Sequence, residues 1–505
     1  MGLRRAGKAG LIALGACLAS GCAVGPDYRA PSVARLGAPE RFAAPAPPGS
    51  APPSAAELAR WWGELGDPLL DRLVTQALAE SPTVEAAGAR LRQARASLRE
   101  ARAGLFPTLS ASGSAGRTEL IGKGSSAAIG ARTSATSLDL GLDAAYEVDL
   151  FGGVRRSVEA ARADAAGAED DLRDTQRSLA AEVALDYIDA RSAQERLAIA
   201  RSNLKSQDET VQIVGWRVEA GLVSSLDLAQ ARAQREQTAA TVPVLETSFT
   251  QSANALAVLT GRTPGAILAL FTPPRPVPDA NRVLGVDVPA QVLARRPDVR
   301  AAERTLAAAT ARIGVQVAQL YPALNLSGSL GGSGSTVGDL TRFATGSLLA
   351  SITAPIFEGG AIRARIDSAR GAADEAFANY RSTVLTALSD VENAMTALAN
   401  ARARVLSLTA AADDSRSALI FANSQYRAGL IDFQTVLDAQ RTLLSSQDGL
   451  AVARADRAAA LVQLYKALGG GWQAAPMPAD ATPGAPALIE RTAALPLSPS
   501  ASERP

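Results

Sequence analysis

The sequence contains no histidine. That absence removes the commonest general base, the usual pH switch near neutrality and the commonest metal ligand together. Cysteine occurs only at Cys17 and Cys22, so neither a disulfide framework nor a cysteine-based metal cage can be built. Aromatic residues make up 4% of the chain, too few for a thick globular core. Neither sign of charge is in excess: 51 basic and 50 acidic residues leave a net charge of +1. No nucleic-acid face and no strong steering field follow from such a balance. No apolar run is long enough for a transmembrane helix, so a chain like this crosses a membrane only as a closed barrel.

The first residues read as a targeting segment. Arg4, Arg5 and Lys8 precede a short apolar stretch, Leu11 to Leu18, and then Ala19-Ser20-Gly21-Cys22. A small residue before cysteine after an apolar run is the form of a bacterial lipoprotein signal. The expectation is a signal over residues 1–21 and a covalent lipid on Cys22. Cys17, after Leu14-Gly15-Ala16, is a competing site. Residues 22–60 are rich in Pro and Ala, including Pro45, Pro47, Pro48, Pro52 and Pro53, and read as an extended arm.

What the chain does contain is two very long helical stretches. Gly153 to Gly221 and Gly360 to Gly429 hold no proline and consist mainly of good helix formers. Each would form a rod of roughly 100 Å, far beyond the usual globular helix. Such rods must lie against other long helices.

They belong to an internal repeat. Ser81-Pro82-Thr83-Val84 opens a helix that closes at Phe106-Pro107; Arg296-Pro297-Asp298-Val299 opens one that closes at Tyr321-Pro322. The offset is 215 at both ends (297 − 82 and 322 − 107). Proline suits a first helical turn, and an aromatic-Pro pair ends a helix. The period then changes to alternation in Thr108 to Ser114 and Ala323 to Leu330, followed by Gly/Ser-rich loops at roughly 115–134 and 331–339. Second alternating segments run from Ser137 to Leu150 and from Phe343 to Ile356. Each hairpin thus has two strands of about ten residues, enough for a tilted membrane strand.

Gly152-Gly153 and Gly359-Gly360 mark the strand-to-helix turns. Gly221 and Gly429 suit the left-handed position after a helix, and Ser224 and Asp432 can cap the helices that return. Pro243 predicts a kink in the first returning helix. The domains read as a first repeat at 61–261, a Pro-rich linker at 262–290, a second repeat at 291–468 and a Pro/Ala-rich tail at 469–505. Within the repeats the long helices are expected at 153–220 and 360–428, with returning helices at 224–260 and 432–468. The hairpins are expected at about 108–150 and 323–356.

Two strands per copy give four per chain, too few to close a barrel, since small membrane barrels start near eight. Twelve strands from three chains are the economical closure. The fold class is therefore mixed membrane α/β: a long α-helical barrel, or tunnel, with a β-barrel completed by trimerisation. A tube joined to a barrel is a conduit, and the lack of a nucleophile–base pair fits a chain that is not an enzyme.

Several motifs carry a family resemblance. They are Gly21-Cys22-Ala23-Val24-Gly25-Pro26-Asp27-Tyr28 with Pro31, Trp61-Trp62 with Asp67-Pro68, and Leu293 through Glu303. Tyr321-Pro322, Gly359-Gly360, Tyr426-Arg427-Ala428-Gly429 and Val436-Leu437-Asp438-Ala439-Gln440 continue them. The chain resembles the outer-membrane efflux family, the TolC-like channels, and within it the lipoprotein branch of the OprM/NodT type. The match of residues 23–31 to that family's start favours Cys22 over Cys17.

The resemblance implies a homotrimer in the outer-membrane lipid. It implies partnership with a periplasmic adaptor protein and an inner-membrane RND pump, with no cofactor beyond the lipid on Cys22. It further implies a periplasmic gate at Tyr426, Arg427 and Asp438, with Asp227 near the corresponding turn of the first copy. Adaptor docking falls on the turns Gly221-Leu222 and Gly429-Leu430. Plainer readings stand beside these. Asp227 fits a capping box with Ser224, Arg427 suits a last helical turn, and Asp438 can pair with Arg441. Ile431 and Thr435 depart from the TolC-like pattern, in which those positions often carry charge. The alternatives for the whole chain are a type I secretion channel and a lipid-anchored coiled-coil scaffold. Metal efflux is disfavoured by three methionines and no histidine.

Overall fold

A computed structural model describes residues 23–32, 34–45, 54–119, 134–279, 285–342, 344–473, 475 and 477. Cys17, Cys22, the signal segment and nearly all of the tail lie outside the described residues. The chain forms two compact units. One comprises Met1–Ala30, Gln93–Gly167 and Ala302–Tyr380; the other comprises Pro31–Arg92, Ala168–Ala301 and Arg381–Pro505.

In chain order the elements are α1 (Ala55–Ala59), a tight turn Trp61–Leu65, α2 (Pro68–Glu80), α3 (Pro82–Ala103), β1 (Thr108–Glu119) and β2 (Ser134–Val148). Then come α4 (Gly153–Glu219), α5 (Ser225–Leu259), a turn Leu268–Phe271, α6 (Pro289–Arg295) and α7 (Pro297–Ala318). The chain continues with β3 (Ala323–Gly334), α8 (Asp339–Arg342), β4 (Ala344–Thr353), α9 (Ala361–Arg427) and α10 (Phe433–Ala467). The repeat is exact in length: α3 and α7 have 22 residues each, α4 and α9 have 67, and α5 and α10 have 35. Helix α5 continues through Pro243.

In the first unit the four strands form one antiparallel sheet in the order β1-β2-β3-β4. Its register sorts the side chains onto two unlike faces. Directly opposed pairs on one face include Leu109–Ala144, Ala111–Leu142, Leu142–Leu330, Tyr146–Leu326 and Gly328–Leu348. The other face pairs Ser110–Asp143, Ser114–Asp139, Asp143–Ser329, Glu147–Asn325 and Ser329–Ser347. Because strand side chains alternate with period two, this register keeps the two faces largely distinct, with Arg117 and Glu119 at the end of β1 falling on the apolar face and Leu349 on the polar one. The apolar face is uncovered: Leu109 is 73% exposed and Leu348 is 89% exposed. Among the described residues, strands β1 and β4 each leave one edge unpaired.

Strands β1 and β3 are longer than the alternation suggests, whereas β4 stops at Thr353, short of the expected Ile356. The stretch expected as a loop from 115 is strand to Glu119, and the one from 331 is strand to Gly334. Residues 339–342, placed partly in that loop and partly before the next strand, form helix α8. Pairing with β2 carries the Gly/Ser residues along, although their own propensity for strand is low.

The segment after Cys22 packs tightly in the same unit. Val24 N–H donates to the carbonyl of Phe151 at 3.1 Å. Arg156, with a side chain 6% exposed, donates to the carbonyls of Val24 and Gly25 and to Asp27 at 2.7 Å. Gly25 has φ of +93°, and a Cβ there would stand 2.4 Å from the Gly314 Cα. A side chain at Gly25 would collide with the α7 backbone, and one at Gly314 would collide with the Arg156 side chain, 2.8 Å away.

The second unit holds the main core, which gathers Trp61, Leu70, Leu73, Leu172, Tyr187, Ile188, Leu256 and Tyr465. Asp67 caps α2 through the Leu69 N–H and accepts a 2.6 Å bond from the Tyr187 hydroxyl. The Trp62 indole N–H donates to Asp71 at 2.9 Å. Arg296, 3% exposed at its side chain, reaches Asp298 at 2.6 Å, Asp390 at 3.0 Å and the carbonyls of Ala387 and Ala467. A buried cation held by so many acceptors fixes the start of α7 against α9 and α10. The Pro-rich stretch read as a linker enters this core: Ile267 and Phe271 are buried, and the Phe271 ring lies 5.5 Å from Tyr187.

A candidate gate at two helical turns

Both long helices end alike, and both ends belong to the second unit. After α4, the Leu222 N–H donates to the Arg217 carbonyl at 2.8 Å and Gly221 N–H to that of Val218 at 2.9 Å. After α9, Leu430 donates to Gln425 at 2.9 Å and Gly429 to Tyr426 at 3.1 Å. These are paired Schellman motifs, with φ of +70° at Gly221 and +73° at Gly429. The residue after the glycine normally packs back on the helix. Here Leu222 is 69% exposed and Leu430 is 75% exposed.

The returning helices are capped in two ways. Ser224 and Asp227 form a full capping box, in which the Asp227 carboxylate accepts from the Ser224 N–H at 3.1 Å. Asp432 accepts from the Thr435 N–H at 3.0 Å and its hydroxyl at 2.6 Å. Those bonds hold the Asp432 carboxyl below its usual range. Beneath the turns, Val214, Ala231, Ala422, Phe433, Val436 and Leu437 form a small buried cluster. Residues from both copies contribute to it.

Beside that cluster lies a groove of about 430 Å³, lined among others by Leu222, Asp227, Tyr426, Gly429 and Phe433. Across it the Arg217 guanidinium sits 4.5 Å from the centre of the Tyr426 ring. The Tyr426 ring is 5.7 Å from Phe433, and its hydroxyl is buried with no hydrogen-bond partner among the described residues. Tyr426 is therefore held through its ring faces.

The expected gate residues divide. Tyr426 and Asp227 line the groove; Arg427 and Asp438 do not. Arg427 ends α9, exposed, with no ion-pair partner among the described residues. Asp438 accepts from Gln434 at 3.1 Å and lies 3.4 Å from Arg441, whose Nε donates to Gln234 at 2.6 Å. Arg217 was not singled out from the sequence. Its position four residues before Gly221, facing a tyrosine three before Gly429, is the signal that points to it. At the other turns, Gly152, Gly359 and Gly360 take positive φ, whereas Gly153 is the first residue of α4. Among the described residues no group of carboxylates and cysteines could hold a metal, and no helix is long and apolar enough to cross a membrane.

A sheet with one bare apolar face, joined to paired helices of 67 residues, defines a TolC-like channel subunit. Residues 73–262 and 288–470 match the family model described as outer membrane efflux protein. The chain belongs to that family, and within it to the OprM/NodT type. It is 35% identical to the pyoverdine export outer membrane protein OpmQ of Pseudomonas aeruginosa, over 83% of this chain and 89% of that one. It is 32% identical to the antibiotic efflux pump outer membrane protein ArpC of Pseudomonas putida, over 91% of this chain and 95% of that one. The solved outer-membrane channel OprN superposes with a TM-score of 0.80 at 36% identity, covering 90% of this chain and all of that one. The chain is thus an outer-membrane efflux channel component, a conduit and not an enzyme.

Proposed function

We propose that three copies of this chain close a twelve-stranded barrel in the outer membrane and form a passive exit for small organic molecules. The observation that carries this is the sheet: one face apolar and bare, the other polar, and both edges unpaired among the described residues. Unpaired edges demand partners, and only closure removes them. Copies of the same chain supply matching edges, β4 of one against β1 of the next.

A periplasmic adaptor and an inner-membrane RND pump complete the assembly, and the exposed Leu222 and Leu430 turns are where the adaptor docks. The pump selects cargo and supplies the energy. Pyoverdine export and antibiotic efflux, named for OpmQ and ArpC, set the cargo class expected here. Cys22 carries the lipid anchor. The groove at the two turns is the gate, with Tyr426 and Asp227 at its walls; Arg427 and Asp438 join it by motif position alone. These assignments rest on motif position and on the shared groove.

The test is a purified full-length protein in planar bilayers and on unheated gels. A heat-sensitive, SDS-resistant trimer that conducts supports the proposal. A salt-extractable monomer without conductance overturns it in favour of a lipid-anchored scaffold.

A further inference from the structure

The internal repeat makes one helix face comparable with another. Helices α3 and α7 correspond residue for residue at the offset of 215, so Arg99 matches Gly314. In α7 that face is covered: Gly314 is buried beneath Gly25, in the arm that follows Cys22, and beside Arg156. In α3 the same face is open and basic. Arg99 and Arg102 are exposed, Arg95 lies on the same side, and neither Arg99 nor Arg102 has an ion-pair partner among the described residues.

The opposite side of α3 has another task. Glu100, Ala101 and Gly104 line a cavity of about 860 Å³. At about 100° per residue the three arginines point away from it. Going towards β1, the exposed surface changes in order: Arg99 and Arg102, then Phe106 at 67% exposure, then Leu109 at 73%. Cation, aromatic, aliphatic is the sequence of side chains that a membrane–water boundary selects.

We propose that Arg99 and Arg102 bind the headgroup phosphate of an anionic glycerophospholipid at the rim of the barrel. The inference rests on the membrane placement of the sheet proposed above. The first copy thereby holds a free lipid on the face where the second copy seats the chain's own lipid-bearing arm. A guanidinium pair one helical turn apart can clasp one phosphate from two sides. Long arginine side chains can carry their charged heads to the headgroup layer.

The experiment uses the full-length protein in nanodiscs of phosphatidylethanolamine with phosphatidylglycerol, with retained lipid counted by native mass spectrometry. Phosphatidylglycerol should be enriched on the wild type. In the double variant Arg99→Gln/Arg102→Gln its affinity should fall about 25-fold, roughly fivefold per cation. The Arg99→Lys/Arg102→Lys variant should keep most of it. Equal retention by wild type and the Gln variant overturns the proposal. Displacement of the bound lipid by inorganic phosphate alone also overturns it, because the site would then read phosphate and not lipid. So does capture of an acidic protein that is lost in the Gln variant while lipid retention is unchanged. Bilayer conductance is recorded in parallel. A wild type that neither inserts nor conducts refutes the membrane placement itself, whereas an inserted, conducting channel without lipid preference refutes only this site.

Discussion

At the scale of single residues, Arg217 and Tyr426 carry the most specific expectation. A cation over an aromatic face contributes about 0.5–2 kcal/mol, and this contact joins the two copies at their turns. Arg217→Ala should raise single-channel conductance or open probability, with Arg217→Lys intermediate. Tyr426→Phe should leave gating unchanged, because the hydroxyl has no partner among the described residues, while Tyr426→Leu should mimic Arg217→Ala. A gate that ignores Arg217→Ala, Arg217→Lys and Tyr426→Leu alike would sink the assignment. Asp186 is a second case. Burial, with Glu182 and Asp189 nearby, pushes its carboxyl up to about 6. The folded chain therefore holds this proton to a higher pH than the unfolded chain does. Its contribution favours folding at low pH and is lost as pH rises from about 4 to about 6. Asp186→Asn should stabilise the protein near pH 7 by about 1 kcal/mol, after allowance for partial exposure, and change little near pH 4. Thermal melts at the two pH values decide it. Arg217 escaped sequence reading because its spacing to Gly221 gains meaning only beside the matching spacing of Tyr426 to Gly429 in the other copy, whereas Asp227 and Ser224 could be recognised as a capping box from their separation alone.

At the scale of elements, most of the helices were legible. Prolines at helix starts and glycines after helix ends are local instructions, and α3, α4, α7 and α9 obey them within a few residues. The strands were less so, since Gly116, Gly331 and Gly332 are drawn into the sheet by their partners across the ladder. Nor could the sequence reveal that the stretch around Phe271 enters the core, because composition alone reads six prolines as a linker. The arm after Cys22 is the element most dependent on a single side chain. Arg156 donates to two of its carbonyls and to Asp27. Arg156→Met should cost the arm about 2 kcal/mol of docking and speed tryptic cleavage after the exposed Arg29. An unchanged cleavage rate would show that the Val24–Phe151 and Tyr28–Glu303 hydrogen bonds and the Gly25–Gly314 crossing hold the arm without Arg156.

At the scale of the whole molecule, the two faces of the sheet must meet different solvents. Leu348→Lys places a charge on the apolar face and should block stable insertion; a cation at the centre of a bilayer costs about 2–4 kcal/mol on a barrel's lipid side. Ser347→Lys, one residue away on the polar face, should insert and alter only conductance. Fractionation and bilayer recording on the pair would separate the faces, and equal behaviour would refute the sheet's orientation. The matched helix lengths have a consequence for how such a chain can change over time. The turns of the two copies share one buried cluster, and they meet because α4 and α9 both have 67 residues. An insertion in one alone would carry its turn past the other by about 1.5 Å per residue and leave Phe433 without its neighbours. Indels in this lineage must therefore arrive as twins, in both long helices and both returning ones, so the duplicated gene carries a ruler that no single edit can lengthen.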